Sequence, residues 1–407
     1  MIDVEQAPEA ILVSNGPGEL YTWVKPILGE LRHRRPELKI CISLIPCQFA
    51  SGRESEVART FGADTVTTPL DFVRFMTVGQ KPAGSWASQS GFVLSLGGNT
   101  DFALQLGSKL GYATYRYSFS PYWNRKLRRL FVPDERAERK ARLLGAPKSK
   151  LEIVGNLVAD AVEQATPPSR SGTPHIMLIP GSRNAFALYL IPFFIALADR
   201  LARLYPEAHF VWPVSRLLTQ ETLHAGIAGR ERDVLGGSAG QLREKMITTA
   251  HGAVIEMIPE EDRYKHMHAA DLAVTIPGTN TLELGIAGVP SVVILPMNKP
   301  EIIPLEGLGH WLSLIPLVGT FLKRHAVRLF VENLNVPVSL PNQFSGQDLM
   351  VEVKGKIAVE QVIAEVRKML DSPAERHHRR SRLLAAMPQP GASQRLVKSI
   401  LDDLTVS

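Results

Sequence analysis

The sequence is poor in cysteine and in metal-ligand patterns. Its 407 residues include two cysteines, Cys41 and Cys47, which lie in or beside a predicted buried strand, so we expect core thiols rather than a disulfide. No zinc-ligand spacing occurs and no Asp-x-Asp motif lies in a suitable loop, so the sequence predicts neither a metal site nor a cofactor. The N-terminus lacks the basic and apolar regions of a signal peptide, and a cytoplasmic location is therefore expected.

Length and composition indicate a folded chain with two domains. Hydrophobic residues make up 45% and charged residues 21% of the sequence, which are globular values, and 407 residues exceed one ordinary core. A segment rich in Pro, Ser and Gly, Ala165–Thr173, is typical of a linker. We predict an N-terminal domain over residues 1–166 and a C-terminal domain over 174–345. Helices over 346–407 are expected to pack back on the N-terminal domain or on a partner subunit.

The order of apolar segments predicts the fold class. Short β-branched runs alternate with segments of helical periodicity in both halves. Such alternation is typical of α/β domains with parallel sheets, so we expect two doubly wound Rossmann-like domains facing across a cleft.

Two loops of the N-terminal half follow predicted strands and carry carboxylates. The first, SNGPGE, supplies Asn15, Gly16, Gly18 and Glu19 after a strand over Ala10–Ser14. It differs from the G-x-G-x-x-G fingerprint, so it does not indicate a dinucleotide cofactor.

The second loop, GGNTD, follows the strand GFVLSL and ends at Asp101. Asn99 lies within it. Asp101 is either the N-cap of the next helix or a carboxylate facing the cleft.

In the C-terminal half, Pro180-Gly181-Ser182-Arg183 separates a predicted strand from a long helix. Backbone and hydroxyl donors at a helix N-terminus, with the forked charge of Arg183, suit a diphosphate. The alternative is an ordinary exposed arginine after a turn.

A second candidate loop lies in Ala269–Pro296, where a strand, a tight loop, a helix and another strand are predicted. Gly278 allows the backbone to approach a ligand closely. Glu283 lies three residues after Asn280, which is the spacing of a capping box. A carboxylate there could instead accept both hydroxyls of a ribose, although spacing alone favours the capping box.

Basic clusters give the chain a net charge of +6 and a pI near 9.3. No nucleic-acid-binding motif accompanies them, so nucleic acid is the weakest candidate for a binding partner. The anionic surface of a bacterial inner leaflet is a better candidate. Glu301–Phe330 has an apolar centre flanked by basic residues, broken by Gly and Pro. It is either a buried core segment or a hairpin that enters the lipid interface.

Four segments resemble the lipid-A-disaccharide synthase family of GT-B glycosyltransferases. They are Ile153–Ala161 (IVGNLVADA), Leu178–Arg183 (LIPGSR), Ala269–Pro290 and Val338–Gly346 (VSLPNQFSG). The resemblance implies a nucleotide-sugar-binding role for the C-terminal domain, which would hold a UDP-sugar donor, and an acceptor-side role for the N-terminal domain. We therefore expect an inverting, metal-independent glycosyltransferase that moves a sugar from a UDP-sugar to a membrane lipid or lipid-linked sugar.

The same resemblance assigns roles to individual residues. It places Arg183 on the diphosphate and Glu283 on the ribose, with Thr279 and Asn342 in the same pocket. The resemblance also favours a homodimer through the C-terminal helices. The basic clusters and Glu301–Phe330, and not the resemblance, lead us to expect peripheral association with the inner membrane.

The chain departs from the family where the family's proposed catalytic base lies. That position is Gly98, and only the second of the family's two aspartates, Asp101, is kept. Either Asp101 or Glu19 is then the base. Two alternatives stay open: an enzyme related to UDP-sugar 2-epimerases or hydrolases on the same fold, and a non-catalytic protein that binds a sugar nucleotide.

Overall fold

The computed structural model describes residues 7–46, 54–120, 122–163, 174–298 and 336–405, together with Gly52 and Ala165. Cys47, most of the predicted linker and the segment Glu301–Phe330 lie outside the described residues. Cys41 is a buried free thiol, as expected.

The chain divides into two compact units. The first consists of Met1–Gln164 with Pro388–Ser407, and the second of Ala165–Met387. The predicted C-terminal segment 346–407 is therefore shared between the units, and only its last part packs in the first.

The first unit contains a parallel sheet of seven strands in the order β3-β2-β1-β4-β5-β6-β7. The strands are β1 (Glu9–Ser14), β2 (Lys39–Leu44), β3 (Thr65–Thr67), β4 (Gly91–Ser95), β5 (Ala113–Tyr117), β6 (Arg129–Val132) and β7 (Leu151–Ile153). Every residue of the central β1 is buried, because helices cover both faces of the sheet.

The helices of this unit alternate with its strands. They are α1 (Pro17–Glu19), a π-helical segment (Leu20–Val24), α2 (Lys25–Arg34), α3 (Glu54–Arg59), α4 (Pro69–Val78), α5 (Thr100–Leu110), α6 (Glu135–Leu143), a 3-10 turn (Lys148–Lys150), α7 (Leu157–Glu163) and the C-terminal helix (Ala392–Thr405). The C-terminal helix buries Leu396, Val397 and Ile400 in the core of this unit.

The second unit contains eight strands in the order β10-β11-β12-β9-β8-β13-β14-β15. They are β8 (His175–Ile179), β9 (His209–Val214), β10 (Gly240–Arg243), β11 (Met246–Thr249), β12 (Val254–Pro259), β13 (Leu272–Thr275), β14 (Ser291–Pro296) and β15 (Val351–Gly355). β10, β11 and β12 pair antiparallel at one edge, and the other pairs are parallel.

Its helices are α8 (Asn184–Leu204), α9 (Gln220–Ile227), α10 (Arg263–Ala269), α11 (Thr279–Ile286), α12 (Leu340–Ser345), α13 (Val359–Leu370) and α14 (Pro373–Ala386), with 3-10 turns at Arg232–Val234 and Glu260–Asp262. Among the described helices, α8 alone has the length and apolar composition of a membrane span, and 67% of that stretch is buried inside the protein. Its side chains form much of the core of the second unit.

Candidate active site

The four candidate loops lie at two positions, one in each sheet, where the strand order reverses. In each sheet the order reverses at one point, between β1 and β4 in the first unit and between β8 and β13 in the second. Ligands of doubly wound sheets bind outside the carboxyl ends of the strands at such a point. The SNGPGE and GGNTD loops follow β1 and β4, and the GSR and PGTN loops follow β8 and β13.

At the first reversal point, Glu19 lies against two glycines. The carboxylate of Glu19 fills the space that a Cβ on Gly16 would take. Cγ of Glu19 lies 3.2 Å from the position of a Cβ on Gly97. Burial raises the pKa of Glu19, while its own backbone N–H lowers it. Asn15 lies against Gly98 in the same loop cluster, and Gly18 is exposed, with its carbonyl accepting from the Thr22 hydroxyl.

Asp101 is not a helix N-cap, so that alternative is wrong. Asn99 is the N-cap of α5, and its side-chain oxygen accepts from the backbone N–H of Asp101 at 2.9 Å. The carboxylate of Asp101 accepts from the Tyr122 hydroxyl at 2.9 Å. Asp101 also lines a cavity of about 440 Å³, together with Met76 and Lys126.

At the second reversal point, the GSR loop packs against the end of β13. Gly181 has a φ of +96°, and a Cβ there would lie 2.6 Å from Cδ1 of Ile276. A larger residue would therefore separate the two loops. Arg183 is the exposed N-cap residue of α8, and among the described residues none hydrogen-bonds to its guanidinium.

The neighbouring PGTN loop also depends on glycine. Gly278 has a φ of +148°, and a Cβ there would meet Oδ1 of Asn280 at 2.8 Å. Asn280 donates to the Ile276 carbonyl at 3.2 Å and to the Thr275 hydroxyl. Thr279, the first residue of α11, is exposed beside them.

Glu283 does not form a capping box, so the interpretation that spacing favoured is wrong. The N-cap of α11 is Gly278, without a side-chain cap. Oε1 of Glu283 accepts from Arg263 Nη2 and from the Tyr264 hydroxyl, both at 3.0 Å, and Oε2 accepts from Arg263 Nε at 3.3 Å. The pair is nearly buried, with 10% of the Arg263 side chain and 6% of the Glu283 side chain exposed.

Asn342 has all of its side-chain hydrogen-bonding positions occupied. Its oxygen accepts from the N–H groups of Leu349 and Met350, and its nitrogen donates to the Met350 carbonyl and to Glu352. Glu352 also accepts from the backbone of Val338 and Ser339. These bonds tie α12 to β15, and the place of Asn342 in the donor pocket stays a prediction.

Sequence reasoning missed the groups that surround Glu283. Arg263 and Tyr264 open α10, and both are buried. Interaction with Glu283 raises the pKa of Arg263 although burial opposes it, and burial raises that of Tyr264. Burial also raises the pKa of Glu260, whose carboxylate accepts from the Arg216 backbone at 2.8 Å. The run PEEDRY ahead of α10 was the available signal, since charged residues at the carboxyl end of a strand lie at the ligand edge.

Whole-chain comparison with solved structures gives the fold. The chain resembles a putative UDP-N-acetylglucosamine 2-epimerase from Listeria monocytogenes, with a TM-score of 0.56, 13% identity and 98% of both chains covered. It also resembles the UDP-GlcNAc 2-epimerase from Neisseria meningitidis bound to UDP-GlcNAc, with a TM-score of 0.56, 14% identity, 97% of this chain and 100% of that chain. With its two Rossmann-like sheets, the chain has the GT-B fold.

Sequence comparison identifies the family likeness. The model of the lipid-A-disaccharide synthetase family matches residues 238–305. A lipid-A-disaccharide synthase from Anaeromyxobacter dehalogenans is 26% identical over 266 residues, 64% of this chain and 57% of that protein. One from Geobacter sulfurreducens is 23% identical over 56% of this chain and 48% of that protein.

The chain is thus a divergent relative of the lipid-A-disaccharide synthases, and the resemblance predicted from the sequence is confirmed. It spans about half the length of the curated relatives named here.

Proposed function

We propose that the protein is an inverting, metal-independent glycosyltransferase that moves a sugar from a UDP-sugar to a membrane lipid or a lipid-linked sugar. The observation that carries the proposal is the pairing of the GSR and PGTN loops at the reversal point of the second sheet, in a relative of the lipid-A-disaccharide synthases. Both loops need glycine there, and both precede a helix whose first N–H groups are available to an anion.

In this proposal the second unit binds the donor. The N–H groups at the start of α8 and the Ser182 hydroxyl receive the diphosphate, and Arg183 supplies the positive charge. As the bond to the anomeric carbon breaks, these groups stabilise the charge that develops on the departing UDP. Gly278, Thr279 and Asn280 form the other wall of the pocket.

Glu283 is proposed to contact the ribose through one hydroxyl rather than two. A carboxylate oxygen accepts about two hydrogen bonds, and Oε1 already has two donors, Arg263 and Tyr264. Oε2 has one, from Arg263. One acceptor direction is therefore left for a ligand.

The first unit is proposed to bind the acceptor, whose hydroxyl attacks the anomeric carbon after losing its proton to a carboxylate at the β1 and β4 loops. A lipid acceptor implies peripheral association with the inner face of the membrane. The UDP-sugar 2-epimerase resemblance is one of fold, at 13–14% identity, and does not favour epimerisation over transfer.

Thermal unfolding with UDP and with a panel of UDP-sugars tests the donor site. A ligand that binds only the folded state stabilises it by about 2.7 kcal/mol at a hundredfold excess over its dissociation constant. We expect one UDP-sugar to raise the Tm of the wild type, and Arg183→Ala to abolish the shift. Arg243→Ala, at an exposed arginine of β10, is the matched control and should keep it.

Two results would contradict parts of the proposal. If no uridine nucleotide raises the Tm, the donor site is absent and the two loops are structural turns. If UDP binds but no donor releases UDP, even by slow hydrolysis, the protein binds sugar nucleotides without catalysis. Vesicle sedimentation tests the epimerase alternative. An epimerase needs no lipid surface, so strong binding to vesicles would count against it.

A further inference from the structure

The β4–α5 loop favours glycine where the family resemblance places the catalytic base. Gly98 has a φ of +68°, which a side chain adopts only with strain. A Cβ on Gly98 would also lie 2.7 Å from Cγ of Asn15 and 2.8 Å from Cδ1 of Ile45. An aspartate at this position would therefore have a strained backbone and would require the Asn15 and Ile45 side chains to move.

The SNGPGE loop brings a different carboxylate to the same reversal point. Glu19 comes from the loop that follows β1, and it lies over Gly97, the residue that precedes Gly98. A Cβ on Gly16 would overlap the Glu19 carboxylate, and a Cβ on Gly97 would lie 3.2 Å from Cγ of Glu19. The π-helical segment Leu20–Val24 begins immediately after it, and π segments within helices occur frequently at functional sites.

The surroundings of Glu19 suit a base. Burial raises its pKa, and the opposing influence is a hydrogen bond from its own backbone N–H. A carboxylate with a raised pKa is, when ionised, a stronger proton acceptor than an exposed one. Among the described residues, none of the ion pairs includes Glu19.

Asp101, the other candidate, is held in a different environment. Its carboxylate accepts from Tyr122, and the charge of Asp101 in turn raises the pKa of Arg116, which burial lowers to about 10. It lines a cavity with Leu104, Lys109 and Lys126. The carboxylate of Asp101 is therefore already engaged by a hydrogen-bond donor, whereas among the described residues no side chain hydrogen-bonds to the carboxylate of Glu19.

We infer that Glu19, rather than Asp101, accepts the proton of the attacking hydroxyl. The inference rests on the proposed function. The acceptor O–H bond breaks and its proton passes to a carboxylate oxygen of Glu19, while the acceptor oxygen forms the bond to the anomeric carbon. The bond between that carbon and UDP breaks, and UDP leaves with the electron pair. Glu19 then releases the proton to water.

The first test measures UDP release from UDP-N-acetylglucosamine, alone and with detergent-solubilised bacterial membrane lipids. We expect Glu19→Gln to lower the rate by about 10²–10⁴-fold and to leave the UDP-induced Tm shift intact, because UDP binds in the other unit. Asp101→Asn should lower the rate less than tenfold. A loss in Asp101→Asn that equals or exceeds the loss in Glu19→Gln would overturn the inference.

The second test needs no turnover. Carboxyl infrared titration of the full chain, wild type minus Glu19→Gln, should show one group that titrates above the ordinary glutamate value. A midpoint at or below that value would overturn the inference whether or not a substrate is found. Loss of the UDP-induced Tm shift in the wild type would instead count against the proposed function, so the two failures are distinguishable.

Discussion

At the scale of single residues, burial separates two arginine–glutamate pairs of the second unit. Arg263 pairs with Glu283, and both side chains are almost inaccessible to water. Arg216 pairs with Glu261 nearby, and 38% and 37% of these side chains are exposed. Water screens the Arg216–Glu261 pair but not the Arg263–Glu283 pair. The two arginine–glutamate ion pairs should therefore contribute differently to the free energy of unfolding.

We expect Arg263→Ala to lower the free energy of unfolding of the second unit by about 3–5 kcal/mol, because it leaves the Glu283 charge buried without its partner. Arg216→Ala is the matched control and should cost about 0–1 kcal/mol. Urea denaturation of both variants measures the difference. Equal losses would show that burial of the pair does not set its contribution.

At the scale of secondary-structure elements, the C-terminal helix is held by a carboxylate from α7. Asp160 is 4% exposed and accepts from the backbone N–H groups of Gly391, Ala392 and Ser393. These are the N–H groups at the start of the helix, which would otherwise lack partners. A side chain more than two hundred residues away in sequence therefore caps this helix.

Asp160→Ala should lower the free energy of unfolding of the first unit by at least about 2 kcal/mol, because three backbone donors, two of them in buried residues, lose a charged acceptor. The control is Asp402→Ala on the same helix, whose pair with Lys398 is 62% and 64% exposed and should contribute about 0–1 kcal/mol. Hydrogen exchange of the helix amides reports the same loss locally. Unchanged exchange in Asp160→Ala would mean that side-chain packing alone holds the helix.

Secondary-structure elements could be predicted where the local sequence pattern agrees with the element that the fold contains. The strands that precede Gly98 and Gly278, β4 and β13, could be predicted because each is an apolar run that ends in turn residues. The hairpin of β10 and β11 could not be predicted, because its turn places Glu244 at a φ of +53° without the glycine or asparagine that indicates such a turn. The partners of Glu283 were missed because they come from another helix, which spacing within one segment cannot show.

At the scale of the whole molecule, the sequence pattern predicts the two sheets, but it does not predict which titrating side chains the fold brings together. His175 and His209 begin neighbouring strands of the second unit, and His266 on α10 stacks on His175 with ring centroids 5.6 Å apart. Nδ1 of His266 is buried without a hydrogen-bond partner among the described residues. The sequence shows three separate histidines, and the fold makes one cluster of them.

This cluster should make stability depend on pH. Burial lowers the pKa of His266, as does His209, while Glu256 and Asp262 oppose the change. The unfolded chain therefore binds a proton near pH 6.5 before the folded one does. The free energy of unfolding should fall as pH drops from about 6.5 toward the lower folded pKa, by at most about 1.4 kcal/mol per pH unit from this group.

Denaturation at pH 7.5 and at pH 5.5 measures this contribution by difference. His266→Gln should lose less stability than the wild type over that interval, because glutamine does not titrate and the other groups remain. His224→Gln, at an exposed histidine of α9, is the control and should behave as the wild type. If His266→Gln loses as much stability as the wild type, His266 is already free to protonate in the folded protein, and the acid sensitivity of the second unit comes from its other titrating groups.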